Sequence, residues 1–185
     1  MLTEIIKNRR AIYPDAFANQ SISKNEVEQI LEAANWAPTH KRTEPWRFKV
    51  FHSEEAREAL SKFLGEAYVK SVEKPSDFKQ HKMAQKALQS GCVIAICMQR
   101  DPEGRIPEWE EIASVAMAVQ NMWLTAHSLQ IGAYWSSPAL LQYFGEHVTL
   151  EQGERCLGFF YMGTYHGELP EGTRKSAISE KTTWI

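Results

Sequence analysis

Cysteine is scarce in this chain of 185 residues. Three are present, Cys92, Cys97 and Cys156, and no two have the CxxC spacing of a zinc site or a redox dithiol. Neither a disulfide scaffold nor a metal site is expected. An excess of charge of one sign is also missing. The formal net charge is −2, which argues against broad binding to nucleic acid or to an anionic membrane surface. The opening stretch MLTEIIKNRR lacks the long apolar run of a secretory signal, so the expectation is a cytoplasmic chain with reduced thiols. No internal repeat and no low-complexity segment occurs. The length suits a single domain over 1–185 with a core of useful size.

One absence is internal. From Ile112 to Gly145 there is no Asp, Glu, Lys or Arg. Within that stretch Ile112, Val115, Ala116, Val119, Met122, Trp123 and Ala126 recur at spacings of three and four, which predicts a helix. Ala113, Met117, Ala118 and Leu124 add apolar surface on its other sides. A helix apolar nearly all round belongs inside a core or against a second subunit. Gln120, Asn121, Thr125, His127 and Ser128 interrupt it too often for a membrane span, which needs roughly 20 mostly apolar residues.

What surrounds this helix can be taken in chain order. Glu4 to Asn8 predicts a short helix ending in Arg9-Arg10, with Pro14-Asp15 breaking the chain. Two cations there are either favoured by the helix dipole or held ready for an anion. Ser23-x-x-Glu26 is a capping box opening a helix to about Trp36. Pro38 stops it. The basic loop from Thr39 to Pro45 is either an anion pocket or a solvated turn. Trp46 to Phe51 alternates like a strand. Ser53 caps the next helix, and the charged stretch from Lys70 to Lys86 predicts an exposed helix with a frayed start. Cys92 to Met98 is a continuous apolar run suited to a central strand covered on both faces, which puts Cys92 and Cys97 on opposite sides.

Gly132 to Ser137 reads as a short strand. Ser137 is then expected to cap a helix beginning at Pro138. That corner is either a simple capped turn or a place for a flat polar ring. Arg155 to Gly163 is a last buried strand. The tail from Thr164 carries Arg174-Lys175 and ends in Thr182-Thr-Trp-Ile185, an apolar terminus that needs a docking place. The strands and the long crossovers between them predict an α+β sandwich: a central mixed β-sheet flanked by helices.

Several segments, in order and at matching spacing, resemble the FMN-dependent nitroreductase family, in particular its small single-domain members. Ile5-Ile6-Lys7-Asn8-Arg9-Arg10 resembles its opening. Ala37-Pro38 followed by Glu44-Pro45-Trp46-Arg47-Phe48 resembles its AP…QPW.F signature. Ile131 to Ser137 resembles its later flavin-contact segment, and Leu157 to Thr164 its last core strand. Three positions depart from the family pattern: Trp36, Arg42, and Glu44 where most relatives have Gln.

The resemblance implies an intertwined homodimer with the long central helix at the interface and FMN held between the subunits. It implies that Arg9 and Arg10 bind the phosphate or ribityl chain, with Ala11 giving a backbone contact. Arg174 or Lys175 would complete the phosphate clamp. Trp135, Ser136 and Ser137 would line the ring, and His40 with Trp36 would reach it from the other subunit. The implied activity is a ping-pong NAD(P)H oxidoreductase, with NADPH or NADH as co-substrate and a nitroaromatic, quinone or similar small electron acceptor. Because the cofactor carries the hydride chemistry, no dedicated acid–base residue is expected. The competing readings are a non-catalytic FMN carrier or sensor, a flavoenzyme with another reaction such as dehalogenation or enone reduction, and a plain interaction protein.

Overall fold

The computed structural model describes residues 2–18 and 20–185. The chain begins with helix α1 (Leu2–Asn8) and continues into α2 (Lys24–Asn35). Ser23 caps α2 as its sequence predicts: its hydroxyl accepts from the Glu26 N–H at 3.2 Å, and the Glu26 carboxylate accepts from the Ser23 N–H at 2.7 Å. Strand β1 (Trp46–Phe51) follows, then helices α3 (Glu54–Ser71) and α4 (Asp77–Leu88), then strand β2 (Cys92–Gln99). The central helix α5 (Glu108–Ser128) leads into β3 (Ile131–Ser136), and β4 (Glu154–Thr164) completes the sheet.

The strand order is β1-β2-β4-β3, and each neighbouring pair is antiparallel. The sheet is thus not mixed among its strands; the parallel contact is a single bridge between Ala11 and Ala133. The reason lies in the connections. Two helices, α3 and α4, join β1 to β2 and return the chain to the end where it can pair antiparallel. The single helix α5 joins β2 to β3, which run parallel to each other but are separated by β4. Long crossovers therefore occur without parallel neighbours.

The alternation of β2 sorts two cores. Cys92, Ile94, Ile96 and Met98 face α2 and α5 in one core with Val115, Ala118, Val119 and Met122. Val93, Ala95 and Cys97 face the other side with Leu60, Leu64 and Phe144. Cys92 and Cys97 lie on opposite faces, as their spacing requires. Buried apolar side chains on both faces are each worth roughly 1.5–3 kcal/mol of transfer free energy, which is what holds the helical layers to the sheet.

Two local expectations need correction. After β3 the chain forms a 3-10 segment, Ala139–Glu146, rather than an α-helix. Its cap position is Pro138, with no side-chain cap, so Ser137 does not serve as N-cap. A Pro-Ala start followed by bulky Leu140 and Phe144 tucked into the second core favours the tighter winding over a regular helix. The terminus Thr182 to Ile185 forms no strand and docks nowhere on its own chain; Trp184 is 93% exposed. Among the described residues no helix is long and apolar enough to cross a membrane.

Candidate functional site

The end of α1 delivers its arginines to the C-terminal half of α5. Arg9 lies with its guanidinium 4.3 Å from the centre of the Trp123 ring, a cation–π geometry. Arg10 is braced by backbone carbonyls: Nε donates to Pro170 at 2.8 Å, and Nη1 to Lys7 at 2.6 Å and Arg9 at 2.9 Å. The chain then runs beside β3, where Ala11 bridges Ala133 and the Ile12 N–H donates to the Ala133 carbonyl at 3.1 Å. Through the contact with Pro170 the C-terminal tail is carried back over α1, and Arg174 arrives near Arg9.

Electrostatics mark the result. Burial, then Arg10, then Arg174 weaken the hold of Arg9 on its proton. His127, one turn along α5 from Trp123, is held below its ordinary value by burial and then by Arg9 and Arg10. Among the described residues, no carboxylate forms a salt bridge with Arg9, Arg10 or Arg174. Guanidiniums gathered without an acid are unfavourable by themselves and favourable around a phosphate, whose oxygens match their fork. Lys175 is exposed and is not among the cations acting on Arg9.

Trp135, on β3, packs against the same core as α5. Its indole lies on the bare Cα of Gly158, where any Cβ would collide with the indole and come within 2.7 Å of the Ser136 carbonyl. The Trp135 Nε1 is buried and has no hydrogen-bond partner among the described residues, an open donor at the end of β3. Ser136 is half-buried and Ser137 exposed at the same corner.

His40 is elsewhere. It belongs to a 3-10 turn, His40–Arg42, and its Nδ1 lies 2.5 Å from the Glu110 carboxylate at the start of α5. The Lys41 ammonium donates to the Arg105 carbonyl at 3.1 Å, and Thr39 Oγ1 accepts from the Glu44 N–H at 3.3 Å. Lys41, Arg42 and Glu44 all have positive φ, of 51°, 54° and 42°. Three such non-glycine residues in one short loop are unusual and concentrate at functional sites. The loop borders a cavity of about 280 Å³ lined by Thr39, His40, Trp109, Glu110, Ala113 and Met117. Trp36 stands at the end of α2, 79% exposed, its Nε1 donating to Glu32 at 2.8 Å.

The predicted residues thus fall into two groups. Arg9, Arg10, Ala11, Arg174, Trp135, Ser136 and Ser137 gather where α5 ends and β3 lies. His40 sits toward its start; Trp36 ends α2 one turn beyond Ala33, whose carbonyl accepts from Asn121 of α5 at 3.1 Å, and falls in neither group. From Glu110 to Trp123 is thirteen residues of α5, roughly 20 Å at the helical rise of 1.5 Å per residue. His127 and Trp123 belong to the first group, although the sequence reads them only as part of the helix body. Their i, i+4 spacing, which puts both on one face, is the signal that could have found them.

Residues 6–164 match the profile of the Nitroreductase family. YdjA of Escherichia coli (strain K12), whose name refers to an NAD(P)H nitroreductase, is 28% identical over 164 residues, 87% of this chain and 86% of that protein. YfhC of Bacillus subtilis (strain 168), with a name of the same kind, is 29% identical over 192 residues, 99% of this chain and 93% of its own length. A nitroreductase-like family protein from Bacillus cereus superposes with a TM-score of 0.83 at 29% identity, covering 100% of this chain and 96% of that one. A Desulfovibrio desulfuricans protein solved in complex with FMN has the same fold, with a TM-score of 0.74, 21% identity, and 100% and 96% coverage. The chain belongs to the nitroreductase family.

Proposed function

We propose that this protein is an FMN-dependent NAD(P)H oxidoreductase that reduces small electron-poor acceptors, nitroaromatics or quinones among them, and that it works as a homodimer. The observation that carries the reading is the trio Arg9, Arg10 and Arg174, which lacks a salt-bridging acid among the described residues. The names of YdjA and YfhC, and the FMN bound by the Desulfovibrio desulfuricans protein, point the same way.

FMN, when bound, supplies the hydride chemistry. The chain supplies the rest. Arg9 keeps its donors free of other contacts among the described residues while Trp123 supports its flat face. It would hold the phosphate with Arg174, and Lys175 would add charge from the rim. Arg10 would act partly through position: its bonds to Pro170, Lys7 and Arg9 fix both the loop and the tail around the anion. Ala11 would offer backbone, and the indole N–H of Trp135 with Ser136 and Ser137 would meet the polar edge of the ring.

His40 would not reach that ring from the same chain, given the length of α5 between Glu110 and Trp123. Two copies packed antiparallel along α5 would bring the His40 loop of one to the arginines of the other. The face of α5 left open supports this packing, since Trp109, Ile112 and Met117 are exposed there. In that assembly the Glu110 carboxylate holds His40 in place, and closing the seam excludes water from the reacting centre.

The test is direct. The purified protein is expected to be yellow and to bleach when NADPH or NADH is added under nitrogen. Arg9→Ala should weaken FMN retention roughly tenfold or more, and further at high salt, through loss of a charge-assisted phosphate contact. A colourless protein that ignores added FMN overturns the proposal. A yellow protein that neither nucleotide bleaches favours the carrier or sensor reading instead.

A further inference from the structure

Strands β2 and β4 carry a defect in their ladder, and the defect joins two cysteines. Ile96 pairs with Gly158. In an unbroken antiparallel register Cys97 would then face Leu157, and Cys156 would face Met98. Instead β4 bulges at Leu157, and Cys97 pairs with Cys156. The extra residue also resets the alternation of side chains. Cys156 packs against the same core as Cys97, with Leu60, Leu64 and Phe144, while Leu157 packs into the other core.

Both residues are free thiols, Cys97 buried and Cys156 half-buried. Residues directly opposite on antiparallel strands have Cα atoms roughly 4.5–5.5 Å apart, within the span of a disulfide. The Cys97 thiol is held protonated well above its ordinary range, first by its hydrogen bond to Cys156 and then by burial. The two sulfurs thus already meet. Cys156 Sγ also donates to the Gly158 carbonyl at 3.5 Å, which turns it back along its own strand. Cys92 provides the contrast. It lies on the same strand as Cys97 but in the other core, opposite Met162, and burial pushes its thiol up to about 12.

We propose that Cys97 and Cys156 form a modification site, a dithiol that hydrogen peroxide closes into a disulfide across β2 and β4. Cys156, the half-buried sulfur, meets the oxidant. Its thiolate takes one oxygen of the peroxide: an S–O bond forms, the O–O bond breaks, and the departing hydroxide leaves as water with the thiol proton. Cys97 then attacks the sulfenic sulfur. The S–S bond forms, the S–O bond breaks, and the Cys97 proton leaves with the hydroxyl as a second water. Two thiols are oxidised and one peroxide is reduced to two waters. Opposite Cβ atoms on paired strands are roughly 4.5–5.5 Å apart, against about 3.8 Å across a disulfide. The bridge must draw the strands together, so it is easily reduced again. Nothing in this inference depends on the flavin reading.

The experiment exposes the reduced protein, freed of dithiothreitol, to a small excess of hydrogen peroxide. Thiols titrated in guanidinium should fall from three to one. A tryptic map under non-reducing conditions should join the Cys97 and Cys156 peptides and leave Cys92 free, and dithiothreitol should restore all three thiols. Cys92→Ser should bridge as the wild type does, whereas Cys156→Ser should keep both of its thiols. In Cys97→Ser the Cys156 sulfenic acid has no partner and should be captured by dimedone. The inference is overturned if the wild type keeps three thiols. It is equally overturned if Cys156 goes to sulfinic acid, or links to a second molecule, while Cys97 stays free. The peptide map needs only the wild type, so a variant that fails to fold leaves the test intact.

Discussion

Arg9 and His127 titrate in each other's field, and that makes the cationic cluster measurable at a single proton. Burial, then Arg9 and Arg10, hold His127 below its ordinary value of 6.5. Its folded form binds its proton less tightly than the unfolded chain does. The neutral ring therefore contributes stability above about pH 6.5 that is lost as the pH falls and the unfolded state takes up the proton. A phosphate dianion on Arg9 and Arg10 would offset their repulsion, so His127 should titrate at higher pH with FMN or inorganic phosphate than without. Ring-proton NMR would follow it, and an unmoved titration curve would mean the anion lies elsewhere. At this scale the sequence was legible in part. The Arg pair and Arg174 were visible as cations, but the bracing of Arg10 by Pro170 depends on a tail that comes back from 160 residues away. No local pattern encodes that return.

Helix α5 shows what periodicity can and cannot tell. Val115, Val119, Met122 and Ala126 form its buried face, as their spacing predicts, whereas Ile112 and Ala116 of the same expected stripe are exposed. A helix apolar on two sides has two claims on burial, and one chain meets only one of them. Substitutions separate the two. Val119→Glu puts an unpaired charge into a site 1% exposed and should prevent folding, at a cost of several kcal/mol. Met117→Glu, on the open face, should leave the helical circular dichroism of the chain intact and yield a monomer by light scattering. Dimers persisting in Met117→Glu would show that α5 is not the contact. By contrast α4 gave a weak signal because its inward contacts are small: Ala84 meets Gly65, and Ala87 is its buried residue. Its outward face, which lines a cavity of about 720 Å³, read only as charge.

For the whole molecule the layers were readable and the strand order was not. Each strand announces itself through its own residues, but β2 and β4 become neighbours only because α5 carries the chain over β4 to β3. Pairing is a tertiary decision, and sequence order is a poor guide to it. The two halves of the proposed site, at opposite ends of α5, make the assembly and the cofactor one equilibrium. If FMN sits at a seam between copies, the melting temperature should rise with protein concentration, and added FMN should steepen that rise. A Tm independent of both would argue for a self-sufficient monomer.

The rod between those halves also sets a phase. Each residue of an α-helix advances the direction of its side chains by about 100° and its position by 1.5 Å. One residue inserted between Glu110 and Trp123 would swing His40's anchor out of line with the arginines. In a two-fold pair the same insertion strikes both slots at once. An insertion there is therefore expected to abolish FMN retention outright, whereas changes of length outside α5 leave the pitch of the rod alone.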